Sequence, residues 1–245
     1  MHSAKLIWAT PDAEKLIAYM ARVSNPKNQN NEATASKLIR YLIDNKHWSP
    51  LEMADMAVEI ETTRAIETQI LRHRSFTYQS FSQRYADVSQ ITETIPTFEL
   101  RRQDTKNRQN STEDLDPEVV SYYTALVGEH FDQSLSLYER MLEAGVAKEC
   151  ARSVLPLATP TRLYMHGSLR SWVHYIDLRS ANGTQKEHQQ IALSIKEIFS
   201  EQFPSLAAAC WENTEVLQDP KDAKITELEA EIATLNAIIR QRNTL

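Results

Sequence analysis

The sequence predicts an α+β protein whose core mixes helices with a small antiparallel sheet. Three observations carry that expectation. Met56, Val58 and Ile60 alternate with Asp55, Glu59 and Glu61, the two-residue period of a half-buried strand. Segments on either side return their apolar residues at intervals of three and four, the spacing of one helix face. Strand and helix signals do not alternate as regular βαβ units, which disfavours a doubly wound parallel sheet.

Taken in order, Lys5–Thr10 reads as a short strand, and Thr10-Pro11 as a helix start with Thr as cap and Pro at the first helical position. Leu16, Met20 and Val23 give that helix an apolar face before Asn25-Pro26 ends it. A second helix is expected over Glu32–Asp44 with Leu38, Ile39, Leu42 and Ile43 inward, followed by a turn at His47-Trp48-Ser49-Pro50. After the strand around Val58, Thr63–Arg74 returns to helical spacing. Residues 101–116 hold one apolar side chain and cannot offset the entropy of ordering by burial, so they read as a surface loop. A helix over Pro117–Ala144 and one near Ala147–Val154, stopped by Pro156, come next. Thr161–His166 suits a strand and Ser168–Arg179 a helix, and Thr184 with Glu187 forms a capping box for a helix to Gln202. In the tail, Ile225, Leu228, Ile232, Leu235 and Ile239 step by three and four, a coiled-coil seam whose Ile/Leu pattern favours two-stranded self-association. The chain thus divides into a domain over 1–218 and an oligomerisation helix over 219–245.

Composition narrows the function. The 245 residues are 42% apolar and 24% charged, enough to bury a real core. A net charge of −6 argues against broad nucleic-acid or anionic-membrane binding. No apolar run approaches the ~18 residues of a membrane span, and the N-terminus does not read as a signal peptide. Two cysteines, Cys150 and Cys210, suit a reducing cytoplasm, or a host cytoplasm if a virus encodes the chain. Only four glycines occur, Gly128, Gly145, Gly167 and Gly183, and none are spaced as GxGxxG or GxxxxGK[ST]. Any phosphate must therefore be held by side chains and helix ends. The densest candidate is Arg72-His73-Arg74 with Ser75, Thr77, Tyr78, Ser80, Ser82 and Arg84 close behind. Guanidinium forks match phosphate oxygens bidentately and hydroxyls add donors without charge. The same cluster, with Phe76, Tyr78, Phe81 and Tyr85 to stack bases, also fits a nucleic-acid-binding oligomer. His166, His174 and His188 lack partners at zinc-ligand spacing, so no metal is expected.

The string RHRSFTYQSFSQRY, read as RHR-x7-S, resembles the signature of the flavin-dependent thymidylate synthases, the ThyX family. Further strings match that family in the same order. They are His47-Trp48-Ser49-Pro50, Ala151-Arg152-Ser153-Val154-Leu155-Pro156-Leu157, Arg170-Ser171, Leu178-Arg179 and Gln185-x-Glu187. The similarity spans about residues 1–215 and leaves the tail outside. It implies a homotetramer with active sites where subunits meet, each binding FAD, dUMP, methylenetetrahydrofolate and NADPH. NADPH would reduce the flavin, the folate would give its one-carbon unit to uracil C5, and the reduced flavin would supply the hydride that completes dTMP.

Carried over residue by residue, the resemblance implies dUMP contacts from Gln69, Arg72, Ser80, Phe81, Ser82, Gln83, Arg84, Arg152 and Arg179. It implies FAD contacts from His47, Ser49, Arg72, His73, Arg74, Ser80, Ser168, Arg170 and His174. Arg179 corresponds to the arginine that favours ionisation at uracil N3 and is the expected catalytic residue. Ser82 has no readable base partner, so it reads as a nucleotide contact rather than a nucleophile. No enzyme cysteine is expected to attack the pyrimidine, and Cys150, on a helix beside Ala151, reads as packing. Ser80, Gln79, Ser168 and His174 depart from residues common in the family, and no histidine stands near Gly183. Those departures leave room for an altered pyrimidine or one-carbon product.

Overall fold

In the computed structural model, which describes residues 2–212, the chain opens with β1 (Ser3–Ala9), α1 (Ala13–Ala21), α2 (Ala35–Asp44), β2 (Asp55–Thr63) and α3 (Arg64–Ile70). It continues through β3 (Thr77–Ser80), β4 (Arg102–Gln103), β5 (Ser111–Thr112), the long α4 (Pro117–Glu143) and the short α5 (Lys148–Ala151). It ends with β6 (Pro160–Ser168), α6 (Leu169–Ser180), α7 (Lys186–Gln202) and α8 (Pro204–Trp211). The expected coiled coil lies outside the described residues.

Four strands form one antiparallel sheet in the order β1-β2-β6-β3. The register sets Val58 opposite Met165 and Ile60 opposite Leu163, so one face of the sheet is apolar throughout. Met56, Val58, Ile60, Leu163 and Met165 are buried on that face, and α6 and α7 supply Trp172, Ile176, Ile191 and Ile195 to the same core. Trp172 satisfies its indole N–H on the Met56 carbonyl at 2.9 Å. Pleating sends Glu59, Glu61, Arg162, Tyr164 and His166 to the opposite face, where Arg162 pairs with Glu61 at 2.6 Å. A second small core gathers Val88, Ile95, Phe131, Leu135, Tyr138 and Ala151 between α4, α5 and the loop after β3.

The α+β class and the paired strands at 55–63 and 160–168 agree with the sequence expectation; several details do not. Thr10 does not cap α1. Asp12 stands at that position in a left-handed conformation without a side-chain cap, and the Thr10 hydroxyl instead bonds Asp55 at the mouth of the β1–β2 pair. The Thr184–Glu187 capping box does not form: Gln185 is the N-cap of α7, Thr184 donates to the Leu178 carbonyl, and Glu187 is taken by Arg101. The helix expected to reach Arg74 stops at Ile70, where the chain tightens into a turn, with the His73 N–H donating to the Ile70 carbonyl at 3.1 Å and the Tyr78 hydroxyl lying 2.9 and 2.8 Å from the Ile70 and His73 carbonyls. Arg72-His73-Arg74 therefore sits in the turn between α3 and β3, a strand the sequence reading missed. Residues 101–116 stay at the surface but fold back as the β4–β5 hairpin, held by polar contacts rather than burial. Cys150 is exposed and the packing residue of α5 is its neighbour Ala151. Among the described residues, no helix is long and apolar enough to cross a membrane.

Candidate active site

Three polar groups collect the sequence-selected residues. The first is centred on Arg179, near the C-terminus of α6. Its Nε–H donates to His73 Nε2 at 2.9 Å, which leaves the terminal guanidinium nitrogens free of that bond. His73 must accept, so it is a neutral imidazole with its proton on Nδ1. Burial, reinforced by the Arg179 charge, holds its pKa down to about 4. The Tyr175 ring packs edge-on to His73, and the Tyr175 hydroxyl lies 3.0 Å from His188 Nε2. His188, fully buried at 0% exposure, places Nδ1 3.2 Å from Gln69 Oε1. Burial, then the charges of Arg179 and His73, push the His188 pKa down to about 3. Gln69 in turn donates to Gln185 at 2.7 Å. Gln69, His73 and Arg179 were expected at a site together and are brought together here. Tyr175 and His188 were not, because their partners lie far along the chain: His188 meets Gln69 of α3 at a separation of 119 residues, and Tyr175 meets His73 in the turn after α3.

The second group lies at the start of α6. Ser168 caps that helix, its hydroxyl accepting from Ser171 N at 3.4 Å. The Ser171 hydroxyl reaches the Ser75 carbonyl, tying α6 to the turn that holds Arg72-His73-Arg74. His174, exposed, packs its ring edge on Trp48 at 4.7 Å, which brings the His47–Pro50 turn alongside. His47 is also exposed and packs against Tyr41, while Ser49 opens the turn at Ser49–Met53. Arg170 pairs with Glu52 through Nη1 and keeps its side chain part-exposed.

The third group lies after β3. Arg84 pairs with Glu149 at 3.3 Å, and Lys148 donates to the Tyr85 carbonyl. Ser82, Arg84, Tyr85, Lys148 and Glu149 line an open cavity of about 340 Å³. Tyr85 is 86% exposed, an unusual state for an aromatic in the middle of a polar pocket. Gln83 is buried with its Nε2 unpaired in the described residues, an orphan donor that calls for a partner. Phe81 is half-buried and held by its backbone N–H to the Arg162 carbonyl.

Ser80 departs from its expected role. Its hydroxyl donates to Glu67, a carboxylate at 0% exposure that Arg64 also binds. The side chain is thus spent on fixing β3 against α3. Arg72 and Arg74 are exposed and Arg152 is half-buried, and none pairs with a carboxylate among the described residues, although Arg64, Arg84, Arg101, Arg162 and Arg170 all do. Free guanidiniums flanking a neutral histidine are the donor set that a phosphate-bearing cofactor needs, so the residues fit FAD.

Residues 5–205 match the family described as "Thymidylate synthase complementing protein". The probable flavin-dependent thymidylate synthase of Paramecium bursaria Chlorella virus 1 is 51% identical over 214 residues, covering 84% of this chain and 98% of that one. The flavin-dependent thymidylate synthase of Synechocystis sp. is 51% identical over 196 residues, covering 80% and 88%. The fold is similar to that of a UMP/dUMP methylase, PolB from Streptomyces cacaoi, in a structure bound with 5-Br dUMP; the TM-score is 0.71 at 23% identity, over 85% of this chain and 94% of PolB. With residues 5–205 inside the matched span and half of the aligned residues shared with relatives that it covers almost end to end, the chain belongs to the flavin-dependent thymidylate synthase family.

Proposed function

We propose that the protein methylates dUMP to dTMP, with methylenetetrahydrofolate as the one-carbon donor and NADPH-reduced FAD as the hydride source. The single observation that carries the reading is the Arg179–His73 pair within a group that also holds Gln69. The neutral histidine beside the guanidinium adds no second cation, so an anion placed there is met by the arginine alone. Placed against uracil N3, that guanidinium stabilises the ionised base and so makes C5 more nucleophilic. Bound FAD supplies two-electron redox chemistry. Arg72 and Arg74, with His47, Ser49, His73, Ser168, Arg170 and His174 around them, hold the cofactor. Gln69 and Arg179 meet the base. Arg72, Arg84 and Arg152, with the backbone of Ser80, Phe81, Ser82 and Gln83, take the nucleotide. Burial pushes the Cys210 thiol up to about 12, which disfavours the thiolate that a nucleophilic role would need.

The active unit in this reading is a homotetramer with sites shared between subunits, and residues 219–245 form a pairing helix appended to the domain over 1–218. The exposed, unpartnered arginines and the orphan Gln83 amide support a site completed by another subunit or by ligand. Tritium release from C5-labelled dUMP tests the function, with FAD, NADPH and methylenetetrahydrofolate present. Release that requires all three is expected. A colourless protein that gains no flavin spectrum on adding FAD would overturn it. Within that assay, Arg179→Ala should keep flavin colour and NADPH oxidation while dTMP formation falls about a hundredfold or more. Near-normal dTMP formation would remove Arg179 from the chemistry.

A further inference from the structure

The side chains around Gln69 form a hydrogen-bond chain whose direction is fixed from one end. Glu187 is a carboxylate in contact with Arg101 at 2.8 Å, and its pKa lies below the ordinary value: burial opposes the charge, but hydrogen bonds from its own backbone N–H, Arg101 and Gln185 together outweigh it. An ionised carboxylate only accepts. Gln185 therefore turns its NH2 to Glu187 (2.9 Å) and its Oε1 to Gln69. Gln69 must then give its NH2 to Gln185 and present Oε1 to His188. His188 fills that oxygen with Nδ1–H, and its Nε2 accepts the Tyr175 hydroxyl. Each link has only one arrangement that leaves no donor facing donor.

A glutamine amide free in a site can flip and offer either its carbonyl or its NH2. Here it cannot. Of the two Gln69 N–H groups one is spent on Gln185, and Oε1 is occupied by His188. Oε1 keeps a second lone pair but is turned to the buried His188, so the group held out towards a ligand is the remaining N–H donor. A donor matches a ring carbonyl, as in uracil, and opposes the exocyclic amine that cytosine carries in place of O4.

We infer that His188, with Gln185 and the Arg101–Glu187 ion pair behind it, locks the Gln69 amide as a donor and so makes the site select uracil over cytosine nucleotides. The inference rests on the reading above that Gln69 faces the pyrimidine. His188 is a positioning residue in it and touches no ligand itself. Breaking the lock at either end restores the flip: His188→Phe removes both ring nitrogens at similar shape, and Glu187→Gln replaces the acceptor-only anchor by a group that can face either way.

The test is competition between dUMP and dCMP for the full-length, FAD-loaded protein, followed by the change each causes in the flavin absorption band. Wild type should prefer dUMP strongly. His188→Phe and Glu187→Gln should each lower the dUMP:dCMP preference about tenfold, the size of one discriminating hydrogen bond. His188→Asn, whose amide can still donate from the Nδ1 position, should restore most of it. Should His188→Phe fail to fold, Glu187→Gln decides, because it keeps the size and shape of the side chain and can still accept from Arg101. An unchanged preference in Glu187→Gln, or in a folded His188→Phe, overturns the lock. Gln69→Ala separates the two readings: if it binds dUMP as tightly as wild type, Gln69 does not face the base and the underlying assignment has failed. If it weakens dUMP while the lock variants keep full preference, only the lock has failed.

Discussion

His73 and His188 share one electrostatic situation: both are withdrawn from water within reach of the permanent charge on Arg179. A second positive charge there would be desolvated and repelled at once, so both rings stay neutral well below the ordinary histidine range. The consequence for stability has a definite sign. A histidine whose pKa is lowered by folding takes up a proton on unfolding once the pH is below its unfolded value, near 6.5. The stabilisation is therefore complete above about pH 6.5 and is lost as the pH falls towards 3. His188, fully buried, should contribute a loss of about 1.4 kcal/mol per pH unit through that window. Part-exposed His73 acts in the same direction with a smaller effect. Urea midpoints measured from pH 7 to 4.5 check this, for wild type and for a folded His188→Phe. The wild-type midpoint should fall more steeply; parallel slopes would mean that His188 already protonates in the folded protein.

At the scale of elements, the turn between α3 and β3 shows why a motif can be found in a sequence while its support cannot. Arg72-His73-Arg74 is legible as residues, since the string RHR-x7-S is written in one short stretch of chain. The shape that presents them is not, because it depends on Tyr78 capturing the end of α3 and on Phe76 wedging beneath α6. Phe76 packs its ring on Trp172 and Tyr175 at 4.7 and 5.8 Å, and a Cβ on Gly167 of β6 would come within 2.5 Å of it. The strand alternation at 55–61 was equally legible, as it is written in adjacent residues, whereas His188 finds Gln69 at a separation of 119 residues. The commitment of Ser80 to Glu67 was hidden for the same reason: nothing in the sequence marks that carboxylate as buried. Gly167→Ala should lower stability by about 1–3 kcal/mol, since Phe76 is enclosed by packed rings and cannot yield cheaply. Gly128→Ala is the control: it lies in α4, its Cβ would meet only Thr97 at 3.8 Å, and the gain in helix propensity should stabilise by up to about 1 kcal/mol. Thermal melts of the two variants should move in opposite directions; a Gly167→Ala melt at or above wild type would show that Phe76 is free to move.

For the whole molecule, the division of the polar residues into separate groups is the feature that bears on assembly. Arg179, His73 and Gln69 gather where α3, α6 and α7 meet, whereas Arg84, Ser82 and Tyr85 gather against α5, with Arg84 held by Glu149. One nucleotide served by both groups is most simply reached if they come from different subunits, as a closed symmetric oligomer would allow. That arrangement has a genetic signature. Arg179→Ala and Arg84→Ala should each be nearly inactive alone, because each removes one half of every site. Co-expressed, the two variants assemble at random. A site then receives Arg84 from one subunit and Arg179 from another in about a quarter of cases, which should restore about a quarter of wild-type dTMP formation. A remixed preparation purified through two different tags isolates the mixed oligomers for the assay. If both groups instead serve the same nucleotide from one chain, every site carries one lesion or the other, and the mixed oligomer stays as inactive as its parents. That outcome would confine the complete site to a single subunit and leave the exposed Tyr85 and the unpaired Gln83 amide to be covered by ligand alone.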